Sequence, residues 1–176
     1  MAQQYFVMGI GGTGMRCIES LIHLCGMGMF DDTDIYLLAL DTDKDNGNFA
    51  RLKEVKESYT KSKGTDESQR TALKDTFFSA NIHYYEFSPN YEEKSDFRSV
   101  FNYGDTKFNN PEQTSIADLV LTENVETFNL RHGYRAQTHL GSMMMYHSIL
   151  EAARSNGNNQ LKAYVQKLIQ ASQNGG

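Results

Sequence analysis

The sequence is poor in several things that would define a function class. It has only two cysteines, Cys17 and Cys25. Both fall on one predicted helix, where a separation of about 12 Å is too long for a disulfide. No disulfide framework exists, and a reducing, cytoplasmic setting is the simple expectation. No apolar run approaches the roughly 18 to 20 residues that a membrane span needs. No basic segment leads into an apolar one near Met1, so no signal peptide is read. Basic charge is also lacking. The net charge of -5 argues against a general nucleic-acid binder, which needs a basic face, and leaves room for a local basic patch. Internal repeats and heptad runs are absent. With 176 residues, the chain is long enough for one domain with a real core.

What is present begins with "YFVMGIGGTGMRCIESLIHL", residues 5–24. Residues 5–8 read as a short buried strand and Gly9 to Gly14 as a turn. Met15, Ile18, Ile22, Cys25 and Met29 then recur at helical spacing, with an end expected near Gly26 to Gly28. "IYLLAL", residues 35–40, is apolar on both faces, as a strand inside a parallel sheet must be. Strand, glycine turn, helix and strand make a βαβ unit. Residues 49–59 predict a second helix from Phe49, Leu52, Val55 and Tyr59. The polar stretch 60–70 reads as an exposed loop, and residues 82–87 as a third strand. "SIADLVL" is a short helix or strand, and residues 129–141 a loop. Residues 142–154 predict a helix in which "MMMY" is core. A last amphipathic helix is marked by Leu161, Tyr164, Val165, Leu168, Ile169 and Ser172. The expected fold is α/β, Rossmann-like, with a mostly parallel sheet and helices on both faces.

The glycine turn carries the chemistry. Glycines let a backbone approach a phosphate closely, and the start of the next helix offers unpaired N–H groups and partial positive charge. Gly9, Gly11 and Gly14 fit G-x-G-x-x-G, with Gly12 and Thr13 inside. The pattern alone is weak, and its place between strand and helix strengthens it. A tight strand-to-helix turn without a ligand explains the same glycines. "GGTGMR" lacks the lysine of a P-loop, which excludes a P-loop NTPase. The second strand runs into Asp41, Thr42 and Asp43. Alternate residues of an extended chain point the same way, so Asp41 and Asp43 suit a hydrated Mg²⁺ beside a phosphate. A polar turn with Asp capping is the plainer account. His132, His139 and His147 show no metal-ligand spacing and read as surface or satisfied histidines. Arg131 and Arg135 are the best basic candidates for a phosphate, and salt-bridged roles fit them as well.

Three segments together look familiar. "FVMGIGGTGMRCIESLI", "IYLLALDTDKDNGNFARL" and "GYRAQTHLGSMMMYHSILEA" resemble successive parts of the tubulin and FtsZ superfamily, closest to its large, divergent bacterial members. The resemblance implies a nucleotide site for GTP or GDP, with ATP open, and with Mg²⁺. Gly11, Gly12, Thr13 and Gly14 match the first phosphate loop, flanked by Gly9 and Met15. Asp41, Thr42 and Asp43 match a second loop, commonly N-T-D. Arg135, Ala136 and Gly141 sit where a third would reach the terminal phosphate. Self-association is implied as well.

The chain departs from that family in lacking the later G-G-G-T-G-[ST]-G loop, the guanine-contacting helix and the carboxylate-bearing loop. The resemblance therefore implies the N-terminal part of a single nucleotide-binding domain over residues 1–176, without hydrolytic activity of its own.

Three other readings stand beside it, one of them an interaction module that keeps the glycine turn but binds nothing. Asp41, Asp43, Asn48 and Arg51 loosely echo ubiquitin-activating-enzyme-like adenylating proteins. A dinucleotide-binding Rossmann domain would use Asp41 for a ribose.

Overall fold

The computed structural model describes residues 3–44, 46–64, 77–89, 138–155 and 159–173. The chain forms two compact units: residues 1–41, 46–87 and 152–176 make the first, and residues 42–45 and 88–151 the second.

The first unit is an α/β layer structure. Strand β1 (Gln4–Ile10) passes straight into helix α1 (Gly11–Gly26). Strand β2 (Asp34–Leu40) is followed by helix α2 (Asn48–Lys63) and strand β3 (Asn81–Phe87). The strands form one parallel sheet in the order β1-β2-β3. Phe6, Tyr36 and His83 stand in register, and their rings stack at 4.7 and 4.5 Å.

The apolar patterning explains the layering. Met15, Ile18, Ile22 and Cys25 form one stripe of α1, and all four are buried. They pack with Leu52 and Tyr59 of α2 onto Ile35, Leu37 and Ala39 of β2. Each fully buried Leu or Ile side chain contributes about 1.5–3 kcal/mol. β2 is buried on both faces because it is central, and its other face carries Tyr36, Leu38 and Leu40. The helix over Gln160–Gln173 packs on that other face, with Tyr164 against Phe6 and Tyr85. Helices therefore lie on both faces of the parallel sheet.

Several boundaries differ from the sequence expectation. β1 runs two residues beyond Met8, so the expected six-residue turn is instead a strand end joined to a helix start. α1 stops at Gly26, where Met27 and Gly28 N–H groups bond back to the carbonyls of His23 and Cys25. Met29 therefore falls outside the helix and is 61% exposed rather than part of the stripe. α2 continues through Thr60–Lys63, against the loop expected there. Its last turn is held by Tyr59 Oη donating to the Ala80 carbonyl and Lys63 Nζ donating to the Ser79 and Ala80 carbonyls. Gly64, at φ +75°, ends it.

Helix α3 (Thr138–Arg154) belongs to the second unit through Glu151. Leu140, Met144 and Ser148 are buried at four-residue spacing, and Ser148 Oγ donates to the Met144 carbonyl. The helix begins four residues before Ser142, so Gly141 lies inside it and does not close a loop. Of "MMMY", Met144 alone is fully buried and Tyr146 is exposed, because one helix turn cannot turn four consecutive residues inward. "SIADLVL" and residues 129–137 lie outside the described residues.

Helix α4 (Gln160–Gln173) starts at the carboxyl end of β3, where Gln160 Oε1 accepts the Glu86 N–H at 2.7 Å. Tyr164 sets its ring edge against Phe6 and Tyr85. Only Leu161 and Tyr164 of the expected apolar stripe are buried. Val165, Leu168 and Ile169 are 40%, 43% and 50% exposed.

Candidate functional site at the β1–α1 junction

The junction is built by a close approach of two glycines. A Cβ on Gly14 would lie 2.7 Å from the Gly9 carbonyl carbon, and a Cβ on Gly9 would lie 2.7 Å from the Gly14 carbonyl oxygen and 2.6 Å from Ile18 Cδ1. Side chains at either place would push α1 off the strand. These two glycines are accounted for by helix–strand packing alone.

Gly11 and Gly12 are different. Gly11 has φ +67°, a left-handed conformation costly to other residues, and a Cβ there would meet nothing within 4 Å. It turns the chain from strand to helix beside open space. The N-cap is Ile10, whose side chain makes no capping bond, and the first turn of α1 holds no acid. The first N–H groups of α1 have no acceptor within their own helix. The partial positive charge of the helix start is left without a carboxylate from its own first turn. Met15 is buried in the core, so only its backbone could face a ligand.

The start of α2 lies beside the start of α1. A Cβ on Gly12 would meet Asn48 Nδ2 at 2.8 Å, the movable tip of a side chain. A short hydrogen-bonded series fixes Asn48. The Asp41 carboxylate accepts from Asn46 Nδ2 at 3.3 Å, and Asn46 Oδ1 accepts the Asn48 N–H at 2.9 Å. Gly47, at φ +77°, allows the turn between them. The two helix starts thus meet at the carboxyl ends of β1 and β2, where ligands bind in open α/β sheets.

Asp41 is buried, and its N–H donates to the Phe87 carbonyl, extending the β2–β3 pairing by one step. Thr42 is buried and Asp43 half-buried; both belong to the second unit. Among the described residues, no group of three or more His, Cys, Asp or Glu could hold a metal through protein ligands alone. Carboxylate oxygens still suit Mg²⁺, which keeps waters and takes phosphate oxygens to complete its shell.

Arg51 is engaged elsewhere. Its Nε and Nη2 both donate to Glu19 Oε1, at 3.0 and 2.7 Å, tying α2 to α1. The Glu19 carboxylate raises the Arg51 pKa. Arg131, His132, Arg135 and Ala136 lie outside the described residues. His139 is exposed and His147 half-buried. Sequence reasoning missed Asn46 and Asn48 as the residues that join the two helix starts. The signal lay in "DNGN", an Asn–Gly–Asn turn directly before a helix. Among the described residues, no helix is long and apolar enough to cross a membrane.

Compared with known proteins, the chain matches no family model, no curated protein and no solved structure.

Proposed function

We propose that the β1–α1 junction binds the phosphates of a nucleotide, GTP or GDP first, in the manner the tubulin and FtsZ resemblance implies. The observation that carries the reading is Gly11. It holds a left-handed turn beside open space, at a helix start with no side-chain cap and no first-turn acid. Such a start favours an anion. Gly12 and Thr13 would contribute backbone N–H groups. Asp41 and Asp43 would hold Mg²⁺ through water.

A dinucleotide is the second reading. The mutual packing of Gly9 and Gly14 is the part that the outer glycines of G-x-G-x-x-G play in dinucleotide-binding domains. The adenylating alternative is weakened by the Arg51–Glu19 pair, which occupies the arginine that reading needs.

One panel tests these readings: binding of GTP, ATP and NAD with and without Mg²⁺. GTP binding that strengthens with Mg²⁺ supports the first reading. NAD binding indifferent to Mg²⁺ supports the second. No binding of any of them removes both.

A further inference from the structure

We propose that the Lys63 ammonium is a charged latch on the turn before β3, holding residues 77–81 in a strained conformation that opens when the charge is lost. The proposal stands independently of the nucleotide reading. Phe78 has φ +56°, a left-handed backbone rare for a bulky residue. Such a conformation persists only where its surroundings over-determine it. Its ring is set against both helices of that face. A Cβ on Gly26 of α1 would lie 3.1 Å from Phe78 Cε1, and the Tyr59 ring of α2 stands 5.4 Å away.

The backbone that follows is gathered on one atom. Lys63 Nζ donates to the Ser79 and Ala80 carbonyls, both at 2.8 Å, and to Asn81 Oδ1 at 2.6 Å. Oxygens converging on one point repel one another unless positive charge stands between them. The ammonium supplies that charge together with rotatable donors. Neutral bonds hold the segment as well. Ser79 Oγ donates to the Phe30 carbonyl, Tyr59 Oη to the Ala80 carbonyl, and the Asn81 N–H to the Thr33 carbonyl. Bonds from a charged donor are the stronger kind, and an acceptor robbed of its donor costs more than a bond never made.

Loss of the charge leaves the gathered oxygens facing one another beside a strained residue. One movement relieves both: the turn swings outward, the carbonyls reach water, and Phe78 returns to an ordinary φ. Phe77 is already 53% exposed at the start of that turn. The latch lies at the amino end of β3, so its opening should leave the packing of α1 on β2 in place.

The test is residue-resolved amide exchange of the unaltered chain and of Lys63→Met, which keeps an unbranched apolar stem and removes the ammonium. The Asn81 amide should exchange at least about tenfold faster in the variant, as loss of a charge-assisted bond implies. Chymotrypsin should gain a cut after Phe78, read by fragment mass. The Ile18 and Leu37 amides should exchange as before. Lys61→Met, an exposed lysine of the same helix turn, should change none of these. Unchanged exchange at Asn81 in Lys63→Met overturns the proposal. An increase shared equally by Ile18 and Leu37 overturns it too, since Lys63 would then support the whole fold rather than latch one turn. The same loss in Lys61→Met would show that the three oxygens are not what matters, and overturns it as well.

Discussion

Gly9 and Gly14 touch backbone to backbone, so closely that a Cβ on Gly14 would fall 2.7 Å from the Gly9 carbonyl carbon. Ile10 ends the strand and Gly11 begins the helix, with no loop between them. This contact sets α1 at the end of β1 and aims its first N–H groups along the sheet's carboxyl edge.

Gly14→Ala should destabilise the fold, since the atoms its methyl group would meet are the Gly9 backbone, which cannot swing away. Overpacking of this kind costs about 1–3 kcal/mol. Gly12→Ala should cost little, because Asn48 can rotate its amide aside. Urea melts of the two variants compare them directly. Equal losses would mean that the Gly9–Gly14 contact is not what holds the junction.

Gly11→Ala makes a different prediction. There is room for the methyl group, but φ +67° is strained for alanine, at about 1–2 kcal/mol. The loss should appear in stability without a change in the α1 packing seen by near-ultraviolet circular dichroism.

The strands and helices were legible because their signals are local. The apolar block of β2 and the α1 stripe from Met15 to Cys25 both stand at the positions that periodicity gives. The ends were less legible. Thr60–Lys63 look like loop by composition, yet stay helical because Tyr59 and Lys63 bond across to residues 79–81. Val165, Leu168 and Ile169 look buried by period but are exposed, because period marks an apolar face without saying what packs on it. Within the candidate site, the glycines announced the turn. The placing of Asn48 beside Gly12 depends on α2 returning to α1, a contact between distant parts of the chain that spacing alone does not encode.

Cys25 is buried in the core, and burial pushes its thiol up to about 11, whereas Cys17 is exposed. Alkylation at neutral pH should modify Cys17 and spare Cys25 until the protein unfolds. The folded value lies above the ordinary 9.0. The stability this thiol contributes is therefore full below pH 9 and lost as pH rises through about 11. Burial raises Tyr59 and Tyr84 in the same direction. Thermal melts across that range should show Tm falling with pH, less steeply in Cys25→Ala. An unchanged slope in that variant would mean that other groups carry the dependence.

Asp43→Asn removes one charge while nearly keeping shape. If Asp43 serves Mg²⁺, the variant should weaken nucleotide binding in Mg²⁺ more than binding in its absence. Equal effects in the two conditions would make Asp43 a turn residue only.

The most direct measurement of the central claim is calorimetric titration of GTP with Mg²⁺ into the unaltered chain and into Gly12→Val. The larger side chain would stand beside the first N–H groups of α1, in the space a phosphate would take, while Asn48 yields. The account predicts saturable binding by the unaltered chain, lost in Gly12→Val, with both proteins melting alike. Binding of equal strength in the folded variant, or no binding by the unaltered chain of GTP or any other nucleotide, would contradict it.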